Sequence, residues 1–202
     1  MVYRVTTEYF KEDPKLIDTF TDLSRDKWID YCWRIRAYIV GALAKLPDVD
    51  YSLPWVIANG RDLSDIMKTY YGDEAGQKFL DLFNENTTNI VSLISYLTKP
   101  PANFNKNTDT YYISTVQRIK DKANDLAMFM SDLNITYWPR ETIRRQLEIL
   151  VGDILDQIMF RFEENFVPDL ERLDKFNSDI RDMSELFSTG IIQQNPGRFS
   201  VI

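Results

Sequence analysis

Apolar residues recur at helical spacing along most of the chain, and four long runs stand out. The first starts after Pro14 and reaches Leu46, where Pro47-Asp48 stops it. Its inward positions include Ile17, Phe20, Trp28, Tyr31, Cys32, Ile35, Tyr38 and Ile39, while Trp33 and Val40 fall on another side. The middle of this helix is therefore expected to be covered on more than one face. A second run opens at Asp73 or Glu74, carries Phe79, Leu82, Phe83, Ile90 and Leu93, and breaks at Lys99-Pro100-Pro101. A third spans about Thr110 to Asn134. The fourth enters through Pro139 and carries Ile143, Leu147, Leu150, Ile154, Ile158, Phe162 and Phe166. Pro168 is expected to kink or divide it, with the helical pattern resuming through to Gly190.

Between the first two long runs, Ser52 to Ile57 reads as a short helical turn ended by Asn59-Gly60. Asp62 then caps a further short helix, closed by Gly72. Residues 1–13 read as an extended arm or an unstructured tail, and residues 192–202, with Asn195-Pro196-Gly197, as a C-terminal tail. The pattern predicts an all-α fold: an antiparallel four-helix bundle with a short helical insertion and a kinked, extended last helix, in one domain over 1–191. The polar stretch 98–109 is expected to be the least ordered interior segment, and it and the tail the places where a protein partner binds.

Composition narrows the chemistry. The chain has 202 residues and no histidine, which removes imidazole bases, catalytic triads and His-ligated transition metals. One cysteine, Cys32, lies in the most apolar helix and reads as a packing residue. A net charge of −7 argues against a duplex nucleic-acid binder. Arg34, Arg36 and Lys45 interrupt the longest apolar run, so no membrane span is expected. The N-terminal residues have no secretory character, so the expected location is intracellular, in the cytoplasm, without distinguishing a cellular from a viral source. Asp153, Asp156, Glu163 and Glu164 fit solvated helix faces better than a carboxylate metal site, and no metal or cofactor is expected. Arg34 reads as a solvent-facing partner of Asp30, four residues before it. Arg36 points toward an apolar stripe, as a partly buried arginine seeking a carboxylate or as an anion clamp.

Several landmarks carry a resemblance: Asn59-x-x-Asp62, Tyr70-Tyr71-Gly72-x-Glu74 and Phe79-x-Asp81-Leu82-Phe83 form the dense block. Around it lie Trp28, Arg36, Leu46-Pro47-Asp48, Ala123-Asn124-Asp125-Leu126-Ala127-x-Phe129, Asn134, Tyr137-Trp138, Asp169, Leu173-Asp174, Met183 and Gly190-Ile191. Over roughly residues 23–191 this resembles a family of small all-helical bacterial proteins of unassigned activity, sometimes mislabelled as acetylglutamate kinase. The resemblance implies histidines where this chain has Tyr31, Asn86 and Leu150, and an acid where it has Gln157. It therefore implies a polar or metal site in the bundle interior that has decayed here. Two functional expectations follow. One is a non-catalytic structural or protein-interaction role. The other is an anion or small-molecule binder, or a metal-independent enzyme, using Tyr31, Arg36, Asn86 and Gln157 as an interior polar cluster.

Overall fold

The computed structural model describes residues 11–201; the sequence-based reading of an arm over residues 1–10 lies outside the described residues. The fold is all-α, with six helices among these residues: α1 (Pro14–Leu43), α2 (Val49–Tyr71), α3 (Asp73–Thr98), α4 (Thr110–Leu133), α5 (Arg140–Phe162) and α6 (Phe166–Gln194). Each packs on its sequence neighbours, and α6 returns to pack on α1, closing a ring. Short connections make each consecutive pair antiparallel. The closing pair runs the same way, since Ser24 meets Ser184 and Arg36 meets Asp169. α1 also touches α3 and α5 across the ring, which matches the nearly continuous apolar run from Ile35 to Leu43 broken only by Arg36. Trp33 is about half exposed on the outer side of α1, as are Leu16 and Leu23 nearer its start. No helix among the described residues is long and apolar enough to cross a membrane.

The count of six rather than four comes from two local effects. The expected pair of short helices at 52–71 is one 23-residue helix. It runs straight through Asn59-Gly60 because that dipeptide serves a helix contact rather than a turn. A Cβ at Gly60 would stand 2.7 Å from the Phe83 ring, so only glycine lets α2 and α3 approach this closely. Asn59 is buried and donates from Nδ2 to the Lys27 carbonyl across the α1–α2 seam at 2.9 Å.

The second effect concerns Pro168. The helix does not kink there; α5 ends at Phe162 and α6 begins afresh at Phe166, with Pro168 in its first turn. A first-turn proline lacks only an N–H that has no intrahelical partner, so no bond is lost. The break sits upstream, where Glu164 adopts a left-handed conformation (φ 56°) and the Asn165 N–H reaches back to Phe160 O at 2.8 Å. α1 ends the same way: Lys45 is left-handed (φ 56°) and the Leu46 N–H bonds Gly41 O at 2.8 Å, just before Pro47. Both are Schellman-type stops closed without glycine.

The C-terminal segment is built into the fold. α6 continues past Gly190 to Gln194, and after a turn of 3₁₀ helix, β2 (Ser200–Val201) pairs antiparallel with β1 (Lys11–Glu12). Phe199 is buried, stacked 5.6 Å from Tyr70 and 5.2 Å from Phe20. The 98–109 segment is anchored too. Phe104 packs edge-on against Tyr112 and Phe162, and Lys106 Nζ reaches Glu163 at 2.7 Å. Each segment carries a large aromatic anchor inside a polar sequence, and burial of that ring outweighs local composition.

Gly190 stays helical because the Trp138 indole lies flat against it, where a Cβ would sit within 2.5 Å of two ring atoms. Asn134 holds this corner by donating from Nδ2 to Gly190 O at 2.9 Å and to the Tyr71 hydroxyl at 3.2 Å. Gly152, in mid-α5, has nothing within 4 Å of where a Cβ would stand. The two glycines therefore give opposite expectations in chemical denaturation. Gly190→Ala should destabilise by about 2 kcal/mol or more through overpacking. Gly152→Ala should stabilise by roughly 0.5–1 kcal/mol through helix propensity alone.

Candidate functional site

The four side chains of the expected interior cluster divide into two sites. Arg36 and Gln157 belong to the first. From α1 the Arg36 guanidinium forms a two-pronged pair with Asp169 in the first turn of α6, Nη2 lying 2.6 Å from Oδ2 and Nη1 bonding Oδ1. Gln157 Oε1 on α5 accepts a further bond from Arg36 Nη1 at 3.3 Å, and its amide nitrogen donates to Asp153 O at 3.3 Å. Arg161 Nε stands 2.8 Å from Asp169 Oδ2, close enough for charge attraction but off the line a hydrogen bond needs. Asp169 is fully buried and Arg36 nearly so. Every acceptor that Asp169 offers is used inside the fold, and the guanidinium faces a carboxylate rather than open space. Both Nη atoms of Arg36 are thus bonded within the fold.

Removing one partner of such a pair leaves a buried uncompensated charge. Arg36→Met alone should cost about 3–5 kcal/mol, and the double variant with Asp169→Leu should recover most of that loss, because Arg161 is partly solvated and stacks on Phe166. Urea denaturation of the double-mutant cycle measures this; a double variant as unstable as the sum of its singles would show that no pair energy links them.

Tyr31 and Asn86 belong to the second site, a small cavity of about 40 Å³ between α1, α3, α4 and α5. Trp28 and Leu150 share its lining. Burial raises the Tyr31 phenol far above its ordinary range, with the adjacent Cys32 acting in the same direction. The hydroxyl is thus a neutral donor or acceptor and not a base. Cys32 is fully buried, and burial pushes its thiol up to about 12, so it is an inert packing residue. Trp28 Nε1 and Asn86 Oδ1 are buried without a protein hydrogen-bond partner.

Two further expectations are corrected by the geometry. Arg34 does pair with Asp30 at 2.7 Å, but its side chain is tucked over the Trp55 ring, 5.0 Å from the centroid, and donates to Trp55 O. It joins α1 to α2 instead of pointing into solvent, because a planar guanidinium stacks well on an indole. Asp153 is not on a solvated face either: it is buried in the α5–α6 seam, held by Arg172 Nη1 at 3.0 Å, with Lys175 Nζ 3.9 Å away. Burial raises its carboxyl to about 6 from an ordinary 3.8, and the neighbouring Asp179 carboxyl pushes the same way against Arg172 and Lys175. Sequence reasoning missed this seam because α5 and α6 each show the acid-base pattern of an ordinary exposed face. The i,i+3 placing of Arg172 and Lys175 opposite Asp153 becomes visible only once the helices are paired.

A carboxyl held protonated by the fold favours the folded state at low pH, and that contribution is lost as pH rises through its folded value. Stability tied to Asp153 should therefore decline between about pH 4 and pH 6, by up to about 3 kcal/mol for a two-unit shift. Asp153→Asn mimics the protonated form, and Arg172 keeps Asp156 at 2.9 Å. Thermal melts should show the variant gaining on the parent as pH is raised from 4 to 8; parallel curves would refute the assignment.

Among the described residues no three Cys, Asp or Glu side chains converge as a metal site requires. Set against protein-family models, curated proteins and solved structures, the chain matches none.

Proposed function

We propose that the protein is a non-catalytic structural or protein-interaction scaffold that works inside the cell. The observation that carries this reading is the commitment of its interior charge: Arg36 is spent on Asp169 and Gln157 within the fold. Chemistry needs polar groups turned toward a substrate space, and here they are turned toward one another. The surface supports the same reading. Each even-numbered helix begins at one end of the ring, and that end exposes Tyr51, Trp55, Tyr111, Phe166, Val167 and Leu170. Large exposed apolar side chains gathered at one end of a folded domain favour a protein partner. The anchored 98–109 segment lies at this end, between α3 and α4, and belongs to the proposed partner surface; the C-terminal tail lies at the other end.

The resemblance to the helical bacterial family also enters here as our reading. Tyr31, Asn86 and Leu150, the positions where that family's histidines are expected, line a single cavity from three different helices. Such convergence supports a scaffold that has kept its packing while the polar site at its centre decayed. Gln157 sits apart from them, bound to Arg36, so a shared four-residue site is not supported. A small-molecule binder is the second reading, and the cavity is what favours it. Its volume of about 40 Å³ and uncharged lining restrict any ligand to a few atoms, and Arg36 plays no part.

Affinity capture from the native source, with mass spectrometry of both proteins and small molecules, separates the readings. The scaffold reading expects a reproducible protein partner, lost at least tenfold when Tyr51 and Trp55 are both changed to alanine in a stably folded variant, as expected of central aromatic anchors. A stoichiometric metabolite retained by that variant and released by Tyr31→Phe would favour the binder.

A further inference from the structure

Asp169 has two oxygens and faces two guanidiniums. Arg36 takes both oxygens in its two-pronged pair, so Arg161, in the last turn of α5, meets a carboxylate that is already committed. Arg161 Nε stands 2.8 Å from Asp169 Oδ2 but is sealed without a hydrogen-bond partner. Among the described residues no second carboxylate lies within ion-pair reach of it. Its Nη1 and Nη2 bond nothing in the described fold and are not sealed from solvent, in a side chain that keeps 24 % of its surface. The guanidinium is nevertheless held in place, because its carbon lies 5.1 Å from the centroid of the Phe166 ring while Asp169 draws its Nε side. These two contacts fix the plane of the group and leave the two Nη atoms for an acceptor from outside. The surface beside it is apolar: Phe166, Val167 and Leu170 are 51 %, 68 % and 55 % exposed. Leu170 lies one turn beyond Phe166 and Val167, so the three share one side of α6.

We propose that Arg161 is the charge-reading residue of this end of the ring, and that it takes a protein segment presenting one Asp or Glu carboxylate beside an aromatic or aliphatic side chain. The carboxylate accepts from both Nη atoms, and its apolar neighbour covers Phe166, Val167 and Leu170. The inference rests on the reading of this end as a partner surface and names the chemistry that the surface selects. Charge complementarity supplies the first argument. One carboxylate, Asp169, stands against two guanidiniums, so the cluster keeps one uncompensated positive charge, and the Nη atoms of Arg161 are where it meets solvent. A single carboxylate neutralises it in a two-pronged geometry. A phosphate dianion or a nucleic-acid backbone would overcompensate it and would meet the exposed acids Glu163 and Glu164, which follow Arg161 closely in the chain. Preorganisation supplies the second argument. A guanidinium already stacked on Phe166 loses little freedom when a partner docks. An arginine beside exposed aromatic and aliphatic side chains is also the composition in which binding energy concentrates.

A random short-peptide library displayed on phage and selected on the full-length protein supplies the probe, with synthetic copies of enriched peptides titrated by fluorescence polarisation. Enriched peptides should carry Asp or Glu next to an aromatic or aliphatic residue, and should be lost when Phe166 and Leu170 are both changed to alanine. Arg161→Gln should weaken them at least tenfold, as should replacing the peptide's acid by its amide, and the two changes together should cost little more than either. Arg161→Lys keeps a cation against Asp169 and so guards against unfolding, yet an ammonium has no two-pronged edge, and binding should still fall several-fold at an unchanged urea midpoint. Peptides that need Phe166 and Leu170 but bind both Arg161 variants as tightly as the parent would overturn the role of Arg161 and leave the partner surface standing. Enriched peptides without an acid would do the same. Tighter binding of a phosphoserine copy than of the acidic peptide would overturn the choice of a carboxylate. Enrichment of no peptide that depends on Phe166 and Leu170, or on Tyr51 and Trp55, would overturn both the inference and the surface on which it rests.

Discussion

A ring of six helices needs one seam that no loop supplies, and in this protein the Arg36–Asp169 pair stands at it. Five of the six neighbouring pairs are joined by connections of one to eleven residues, so proximity in the chain brings them together. α1 and α6 have more than a hundred residues between them. Their contact must be specified by side chains, and a two-pronged guanidinium–carboxylate pair has a tighter angular tolerance than any apolar contact. Gln157 adds α5 to the same guanidinium, so one side chain of α1 fixes the positions of two other helices. A buried ion pair contributes little net stability against a well-packed apolar substitute. Its contribution here is register: sliding α6 by one turn would leave a fully buried carboxylate opposite aliphatic side chains.

The opposite end of the ring is fixed by shape rather than charge. Trp138, fully buried, stacks on Phe187 of α6 with centroids 5.6 Å apart, lies against Gly190, and donates from its indole nitrogen to Leu186 O at 3.0 Å. Trp28 of α1 meets Phe187 from the other side. Asn134 ties the carbonyl of Gly190 to the Tyr71 hydroxyl, linking α2, α6 and the α4–α5 connection. Indoles tolerate little rearrangement because a displaced ring loses many dispersion contacts at once, and a missing Cβ on the facing helix permits only one depth of approach. Beyond this layer the C-terminal segment closes the same seam, with Phe199 packing on both Phe20 and Tyr70, which touch each other at 5.0 Å, and β2 pairing with β1. Charge at one end and shape at the other give the α1–α6 seam its register over the full length of both helices.

How much of this was legible in the sequence depended on whether the signal was local. Helix periodicity and first-turn prolines are local, and α3 and α4 fall within a residue or so of where the apolar pattern places them. Gly60 and Pro168 misled because each has a local meaning as a breaker and a tertiary use, as a contact point and a first-turn residue, that only the paired helix decides. The two left-handed stops at Lys45 and Glu164 lack the glycine that would have announced them. Burial of Arg36 was legible because Cys32 and Ile39 bracket it on an apolar stripe. Its partner was not, since Asp169 sits in a first helical turn, where an acid is expected for helix-dipole reasons alone. Tyr31 and Asn86 line one cavity, and Arg36 bonds Gln157 elsewhere. The two pairs lie apart because position along α1 separates Tyr31 from Arg36 by about one and a half turns.

That separation bears on what the interior can do. Had the arginine faced the cavity, the centre of the fold would have held a charge and a phenol near one another, a basis for binding anions or shifting a proton. With the arginine locked on Asp169, the cavity keeps a phenol, an amide and an indole, none of which titrates near neutral pH. The buried group raised toward neutrality, Asp153, lies elsewhere, in the α5–α6 seam against Arg172 and Lys175. Its proton is therefore coupled to the packing of those two helices. The raised carboxyl and the uncharged cavity thus lie in different parts of the fold, one in a helix seam and the other among α1, α3, α4 and α5. The proposed interaction through the exposed aromatic end of the ring requires neither, because the side chains exposed there belong to neither interior site.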